Sequence, residues 1–252
     1  MKVVFTGPTL TERVREGRIA GYEGIVCLPP AEQGDIARAV AQGANVIGLV
    51  DGRYEDVAAP WHKEIMYALS LGVVVFGGGS LGALRAAECA AYGMIGVGEV
   101  FERYRSGELV DDSDVAQLHA PEEFGSFPLT EALVNVEATI RAALAQRDIS
   151  DYEARGLSKC ARNLFFKDLT FEALASNFCV DPTLAQPLLE RIVRNRRDVK
   201  KSDALELLER IHNQPDVRIR RAGGWELSNS VYWSDFQRLS GNEFSNVPLV
   251  TQ

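Results

Sequence analysis

Four short apolar runs constrain this chain most: KVVFT (2–6), GIVCL (24–28), NVIGLV (45–50) and VVVFG (73–77). They are rich in Val and Ile and lack strict alternation with polar residues, the pattern of strands covered on both faces. Between them, helical periodicity appears near 10–17, 34–42, 61–70 and 81–92, with entries at Thr9 and Gly34-Asp35. Strand and helix alternating through short links predict an α/β fold, a doubly wound, mostly parallel Rossmann-like sheet. A further strand is expected at VAQLH, 115–119, after the acidic turn DDSD at 111–114.

Past residue 128 the strand signals stop. LTEALVNVEATIRAALAQRDI reads as one long amphipathic helix beginning after Pro128, and more helices follow across 150–213, broken by DPT (181–183) and NQPD (213–216). The organisation expected is an α/β core domain over 1–145 with a helical C-terminal region over 146–252. The stretch GGWELSNSVYWSDF in the tail is expected to form a short hairpin or loop packed back on the body.

Hydrophobic residues make up 46% and charged residues 25%, the balance of an ordinary globular protein. A net charge of −8 argues against a general nucleic-acid binder, which needs clustered excess cation. Cys27, Cys89, Cys160 and Cys179 are scattered, with no C-x-x-C pair and no histidine at zinc spacing. Reduced, buried thiols are expected, with no metal and no cofactor. The apolar run in MKVVFTGPTL is too short for a signal peptide and no segment approaches transmembrane length, so a cytoplasmic protein without a membrane partner is expected.

In a parallel sheet, ligands bind beyond the carboxyl ends of the strands. That edge is where Gly7-Pro8-Thr9, Pro29-Pro30, Asp51 and Gly77-Gly78-Gly79-Ser80 fall, and a helix starting near Pro60 adds His62 in its first turn. Asp51, His62 and Ser80 are therefore expected to face one crevice. Gly78-Gly79-Ser80-Leu81-Gly82 fits the G-x-S-x-G pattern of a nucleophile elbow, in which a strained serine projects beside free helix N–H groups. The same residues also suit a glycine loop cradling an anion, with Ser80 as helix cap.

Arg85 and Glu88, three apart, can pair on one helix face, either as a solvated ion pair or with Glu88 holding Arg85 as a carboxylate or carbonyl clamp. His62 suits a general base or a packing residue, while Lys63 is a second base or anion donor. Lys63 and Glu64 also fit a merely exposed first turn. DDSD reads as a solvated turn, with a metal site as the rival, and His119 is a competing base. The series Arg191, Arg194, Arg196, Arg197, Lys200, Lys201 reads as a solvated face or a docking patch for an acidic protein.

GPTL, LPPAEQGDI, LVDGRYEDVAAPWHKEIMYAL, GGGSLGALRAAECAAYGMIGVGEVFERYRSGEL and DDSDVAQLH together resemble the TfuA-like core domain, in order to about residue 145. The resemblance implies a partner of a YcaO enzyme in peptide-backbone thioamidation. It implies hydrolysis of a ubiquitin-like, thiocarboxylated sulfur carrier to release sulfide, with the precursor peptide as a further contact. Ser80, Arg85 and Glu88 match the family's S-x-G-A-L-R-A-A-E string, and His62, Lys63 and Glu64 its W-H-K-E string. The family often has small residues or a second serine where this chain has Gly78 and Gly79, so hydroxyl chemistry here falls on Ser80. On this reading Ser80 is the nucleophile and His62 the preferred base over Lys63, with Arg85, Glu88 and Asp51 beside them. Gly7, Thr9, Gly78, Gly79 and Gly82 shape the binding loop. Rival readings are a non-catalytic scaffold that binds YcaO and peptide, and a small-ester serine hydrolase with Asp51 as its acid. A homo-oligomer is compatible with all three.

Overall fold

The computed structural model describes residues 1–15, 17–53, 57–121, 124, 127–219 and 224–239. Contacts divide the chain into two compact units, one of residues 1–108 with 203 onward, the other of residues 109–202.

The first unit is built on a seven-stranded sheet. Its strands are β1 (Lys2–Phe5), β2 (Val14–Arg15), β3 (Arg18–Ile19), β4 (Ile25–Leu28), β5 (Val46–Leu49), β6 (Val74–Gly78) and β7 (Ile95–Val97), in the order β2-β3-β4-β1-β5-β6-β7. The five strands from β4 to β7 are parallel, and β3 pairs antiparallel with both β4 and β2. The order reverses between β1 and β5, the switch point at which doubly wound sheets open a crevice. The expected doubly wound architecture is borne out.

Helices α1 (Asp35–Ala41), α2 (His62–Ser70), α3 (Leu81–Cys89) and α4 (Gly98–Ser106) follow β4, β5, β6 and β7 in turn. A later helix, α9 (Val199–Asn213), lays Ala204, Leu207, Leu208 and Ile211 against Val4, Val46, Val74 and Phe76. Side chains alternate along β6: Phe76 packs in the cluster with α9, and a Cβ on Gly77 would meet Gly82 and Ala86 of α3. Both faces are thus covered, which is why the strand sequences are apolar without alternation.

The second unit contains α5 (Leu133–Ala145), α6 (Asp151–Asn163), α7 (Phe171–Phe178) and α8 (Pro182–Arg194) around its own core of Leu133, Val136, Ile140, Leu157, Leu174, Leu188 and Ile192. Ser150 and Thr170 cap α6 and α7 with side-chain hydrogen bonds, as serine and threonine at those positions should.

Several expectations change. The described residues of 10–17 form no α-helix: a 3-10 turn at Thr11–Arg13 precedes β2 and β3, whose Val14 and Ile19 pair across the sheet. Residues 115–119 are not a strand, and His119 makes only an isolated bridge to Pro128. The long helix starts at Leu133, because the Glu131 N–H donates to Leu169 O and holds the chain extended before it. In the tail, residues 224–230 form a loop, one of the two expected alternatives, with Trp225 against Tyr92, and Val231–Leu239 form an unexpected helix, α10. No helix among the described residues is long and apolar enough to cross a membrane.

Candidate functional site

The loop from β6 to α3 rests on two glycines. Gly79 has φ +75, a conformation that L side chains rarely adopt. Gly82 lies against β5: its N–H donates to Val50 O at 3.0 Å, and a Cβ there would sit 1.8 Å from Leu49 O. The glycines therefore serve close approach and a left-handed turn. Ser80 itself has φ −129, so the turn's positive φ falls on Gly79 and not, as an elbow predicts, on the serine.

Ser80 is the N-cap residue of α3 and only 8% exposed, yet its hydroxyl makes no capping hydrogen bond. The other three helices at this edge are closed by buried carboxylates. Glu64 Oε2 accepts from Gly34 N (2.9 Å) and Ala37 N (3.4 Å) at the start of α1, and Glu64 Oε1 accepts from Trp61 N (3.1 Å) at the start of α2. Asp203 accepts from Glu99 N (2.9 Å) and Val100 N (2.8 Å) at the start of α4. Only α3 begins on a neutral hydroxyl without a partner among the described residues.

His62 is the first residue of α2, and its Nε2 lies 2.8 Å from Glu88 Oε2 on α3. Arg85 Nη1 donates to the same Glu88 oxygen at 2.6 Å, and Arg85 Nε donates to Pro60 O at 3.0 Å. Burial alone would raise the Glu88 carboxyl, but the hydrogen bonds and charges of His62 and Arg85 outweigh it and hold the group below the usual range. Glu88 thus joins the first turn of α2 to α3. The pairing of Arg85 with Glu88 follows the expected spacing, whereas the link to His62 was not anticipated.

Asp51 sits elsewhere in the hydrogen-bond pattern. Its carboxylate accepts from Thr6 Oγ1 (3.2 Å), Gly7 N (2.9 Å), Thr9 N (3.1 Å) and Thr9 Oγ1 (2.7 Å). It therefore ties the loop after β1 to the end of β5 across the switch point, and Gly7 and Thr9 direct those donors to Asp51. Among the described residues the carboxylate hydrogen-bonded to His62 is Glu88, not Asp51.

Glu64 does not lie in an exposed first turn: it is fully buried, and burial raises its carboxyl despite three backbone donors. The signal available was its spacing three residues after Trp61, the Glu of a capping box without the usual Ser or Thr. Lys63 Nζ donates to Ser228 Oγ at 3.2 Å. His119 belongs to the second unit, where its Nδ1 lies 3.0 Å from Gln117 O.

The acidic DDSD segment is a 3-10 turn closed on itself, with Asp114 Oδ2 accepting from Val110 N and Asp111 N. No group of His, Cys, Asp or Glu suited to a metal occurs among the described residues. Most of the basic series is engaged within the second unit: Arg191 with Glu153, Arg194 with Asp148, Arg196 with Glu131, and Lys200 Nζ with Val115 O. Cys27 and Cys89 are buried thiols pushed up to about 11, inert at neutral pH. The same sheet edge carries a cavity of about 350 Å³ walled by Phe5, Leu28, Pro30, Asp35, Arg38 and Arg53, with neither Ser80 nor His62 in its lining.

The family model described as TfuA-like protein matches residues 51–170, a stretch that holds Ser80, Arg85, Glu88 and the W-H-K-E string. No curated protein matches the chain. The resemblance carried by those strings is borne out: residues 51–170 are similar to the TfuA-like family, which is associated with YcaO enzymes in thioamidation.

Proposed function

We infer that this protein supplies sulfide to a YcaO enzyme by hydrolysing a ubiquitin-like carrier that ends in a thiocarboxylate. The observation that carries the reading is the Ser80 hydroxyl, without a capping hydrogen bond on a residue only 8% exposed, at the one helix start of the sheet edge that no carboxylate closes among the described residues. The starts of α1, α2 and α4 at this edge take carboxylates, and that of α3 is left for an incoming acyl group.

Ser80 Oγ attacks the thiocarboxylate carbon, and the negative charge passes to the carbonyl oxygen. The Gly82 N–H is taken by Val50 O and the Ala83 N–H by Ser80 O, which leaves the Leu81 N–H as the backbone donor nearest the new oxyanion. His62 takes the serine proton, with its Nε2 held by Glu88 and its Nδ1 left for the transfer. Collapse breaks the C–S bond, the proton passes to the departing sulfur, and hydrosulfide leaves. Water then hydrolyses the acyl-serine, so that one thiocarboxylate and one water give one carboxylic acid and one hydrosulfide. Arg85, anchored on Pro60 O and Glu88, fixes the Glu88 carboxylate, and Lys63 adds positive charge beside the entrance. The YcaO partner activates the peptide amide and receives the sulfide, and the chain acts in the cytoplasm without a cofactor of its own.

The test is sulfide release from a thiocarboxylated carrier protein by the wild type and Ser80→Ala side by side. Release by the wild type alone supports the reading. If neither releases sulfide, yet the wild type still accelerates thioamidation by a YcaO enzyme given free sulfide, the domain is a scaffold and the loop an anion cradle.

A further inference from the structure

The segment from Trp225 to Phe236 lies outside the family-matched stretch, yet it touches the helix that carries His62 and Lys63 and the turn that follows the helix of Arg85 and Glu88. Its start is tied to the turn after α3, where Trp225 Nε1 donates to Tyr92 O at 3.2 Å and the two rings meet edge-on at 5.5 Å. Farther on, Ser228 Oγ accepts from Lys63 Nζ. Then α10 brings Trp233 and Phe236 to within 6.2 and 6.1 Å of the Trp61 ring, with Trp233 also 5.3 Å from Tyr67.

The distribution of exposure shows where this segment is held. Trp233 is 3% exposed, while its neighbours Val231 and Tyr232 are 75% and 78% exposed. Nine residues are too few for a stable isolated helix. The order of α10 therefore depends on the aromatic contacts around Trp61. Trp61 is in turn the N-cap of α2, and its backbone fixes the direction of His62, the next residue. Glu64 holds Trp61 from the inside through its N–H, and Trp233 and Phe236 hold it from the outside through its ring. A segment serving only to cover apolar surface has no need to engage an ammonium and an N-cap on either side of one histidine.

We propose that this C-terminal segment is part of the site, with Trp233 positioning His62 through Trp61 and Ser228 positioning Lys63. The proposal rests on the reading of His62 and Lys63 as working groups, and its test keeps the two apart. The chain has three histidines, so the imidazole Cε1–H signals are few, and His62→Gln assigns the one from His62. In the full-length protein, Trp233→Ala is expected to move the His62 signal while leaving those of His119 and His212 in place, and Trp233→Phe to restore it. On the carrier substrate, kcat is expected to fall about tenfold in Trp233→Ala with KM nearly unchanged, and a few-fold in Ser228→Ala, since small misplacements of reacting groups cost that much. If Trp233→Ala does not fold, Phe236→Ala removes one ring from Trp61 and takes its place. An unmoved His62 signal, an equal shift of all three histidines, or no rescue by phenylalanine would overturn the proposal. If the wild type releases no sulfide, the hydrolase reading fails, and the His62 signal alone decides whether Trp233 positions it.

Discussion

The starts of α3 and α4 are built alike and finished differently. Each helix has nine residues, each follows a parallel strand, and each is entered through a glycine at positive φ, Gly79 at +75 and Gly98 at +91. At α4 the exposed N–H groups receive the carboxylate of Asp203, which is 5% exposed. At α3 the corresponding place holds the neutral Ser80 hydroxyl and no carboxylate. A buried helix start attracts an anion through its unsatisfied N–H groups and its dipole. Where the chain supplies the anion itself, the start is structural; at α3 it supplies none, the Gly82 and Ala83 N–H groups bond to Val50 O and Ser80 O, and the proposed acyl group would meet the Leu81 N–H.

Exchanging the roles of the two starts in separate variants would break that contrast. Ser80→Ala is expected to reduce sulfide release by about 10³-fold or more, since removing the nucleophile of a serine hydrolase can cost up to about 10⁶ in kcat. Its urea midpoint should match the wild type, because the hydroxyl caps nothing. Asp203→Ala should do the reverse. It orphans two N–H groups and is expected to cost about 2–3 kcal/mol in urea unfolding, with kcat per folded molecule nearly intact. A stable Asp203→Ala, or a destabilised Ser80→Ala, would show that the two starts do not differ as described.

A second pair of measurements sharpens the α4 side. Burial pushes the Asp203 carboxyl up to about 6, and the two backbone donors offset only part of that. A carboxyl raised on folding binds its proton more tightly in the folded state. Its contribution to stability is therefore full at low pH and is lost as pH rises through about 4 to 6. The span corresponds to roughly 3 kcal/mol at most, from about two pKa units at 1.36 kcal/mol each. Glu88 has the opposite sign: its lowered carboxyl contributes stability above the ordinary carboxylate range and loses it only at lower pH. The difference in unfolding free energy between wild type and Asp203→Asn, followed from pH 4.5 to 7.5 by urea titration, should fall and then level off above about pH 6. A flat difference would mean that Asp203 is not strained by burial.

The same contrast marks what could be read in advance. Strands β1, β5 and β6 were legible because burial on both faces leaves an uninterrupted apolar run, and β4 because its run is apolar even though Val26 is exposed. Strand β7 is Ile-Gly-Val, three residues with a glycine, and offers no such run. The two-residue strands β2 and β3 were hidden inside a pattern that also fits a helix. At the site, the parallel-sheet rule brought Ser80 and His62 to one edge, and i,i+3 spacing found Arg85 with Glu88. The bond from Glu88 to His62 depends on how α2 packs on α3, which no local pattern encodes. Asp203 closes a helix 104 residues away from Glu99, and nothing near either residue announces it.

The smallest expected effect tests the α3 side from a distance. Glu88→Gln keeps the shape of the side chain and its contact with His62 but removes the charge that Arg85 and His62 share. Glu88 is 36% exposed on its side chain, so the pair should contribute under about 1 kcal/mol to stability. If Glu88 orients His62 for proton transfer, kcat should fall about tenfold while KM stays within about twofold, because the loss is confined to the transition state. If Arg85 instead grips the carrier's tail, freeing it from Glu88 should change KM and leave kcat. If neither constant moves, the His62–Glu88–Arg85 set is an ordinary surface ion pair, and the proposed hydrolysis must find its base elsewhere, Lys63 being the next candidate to substitute.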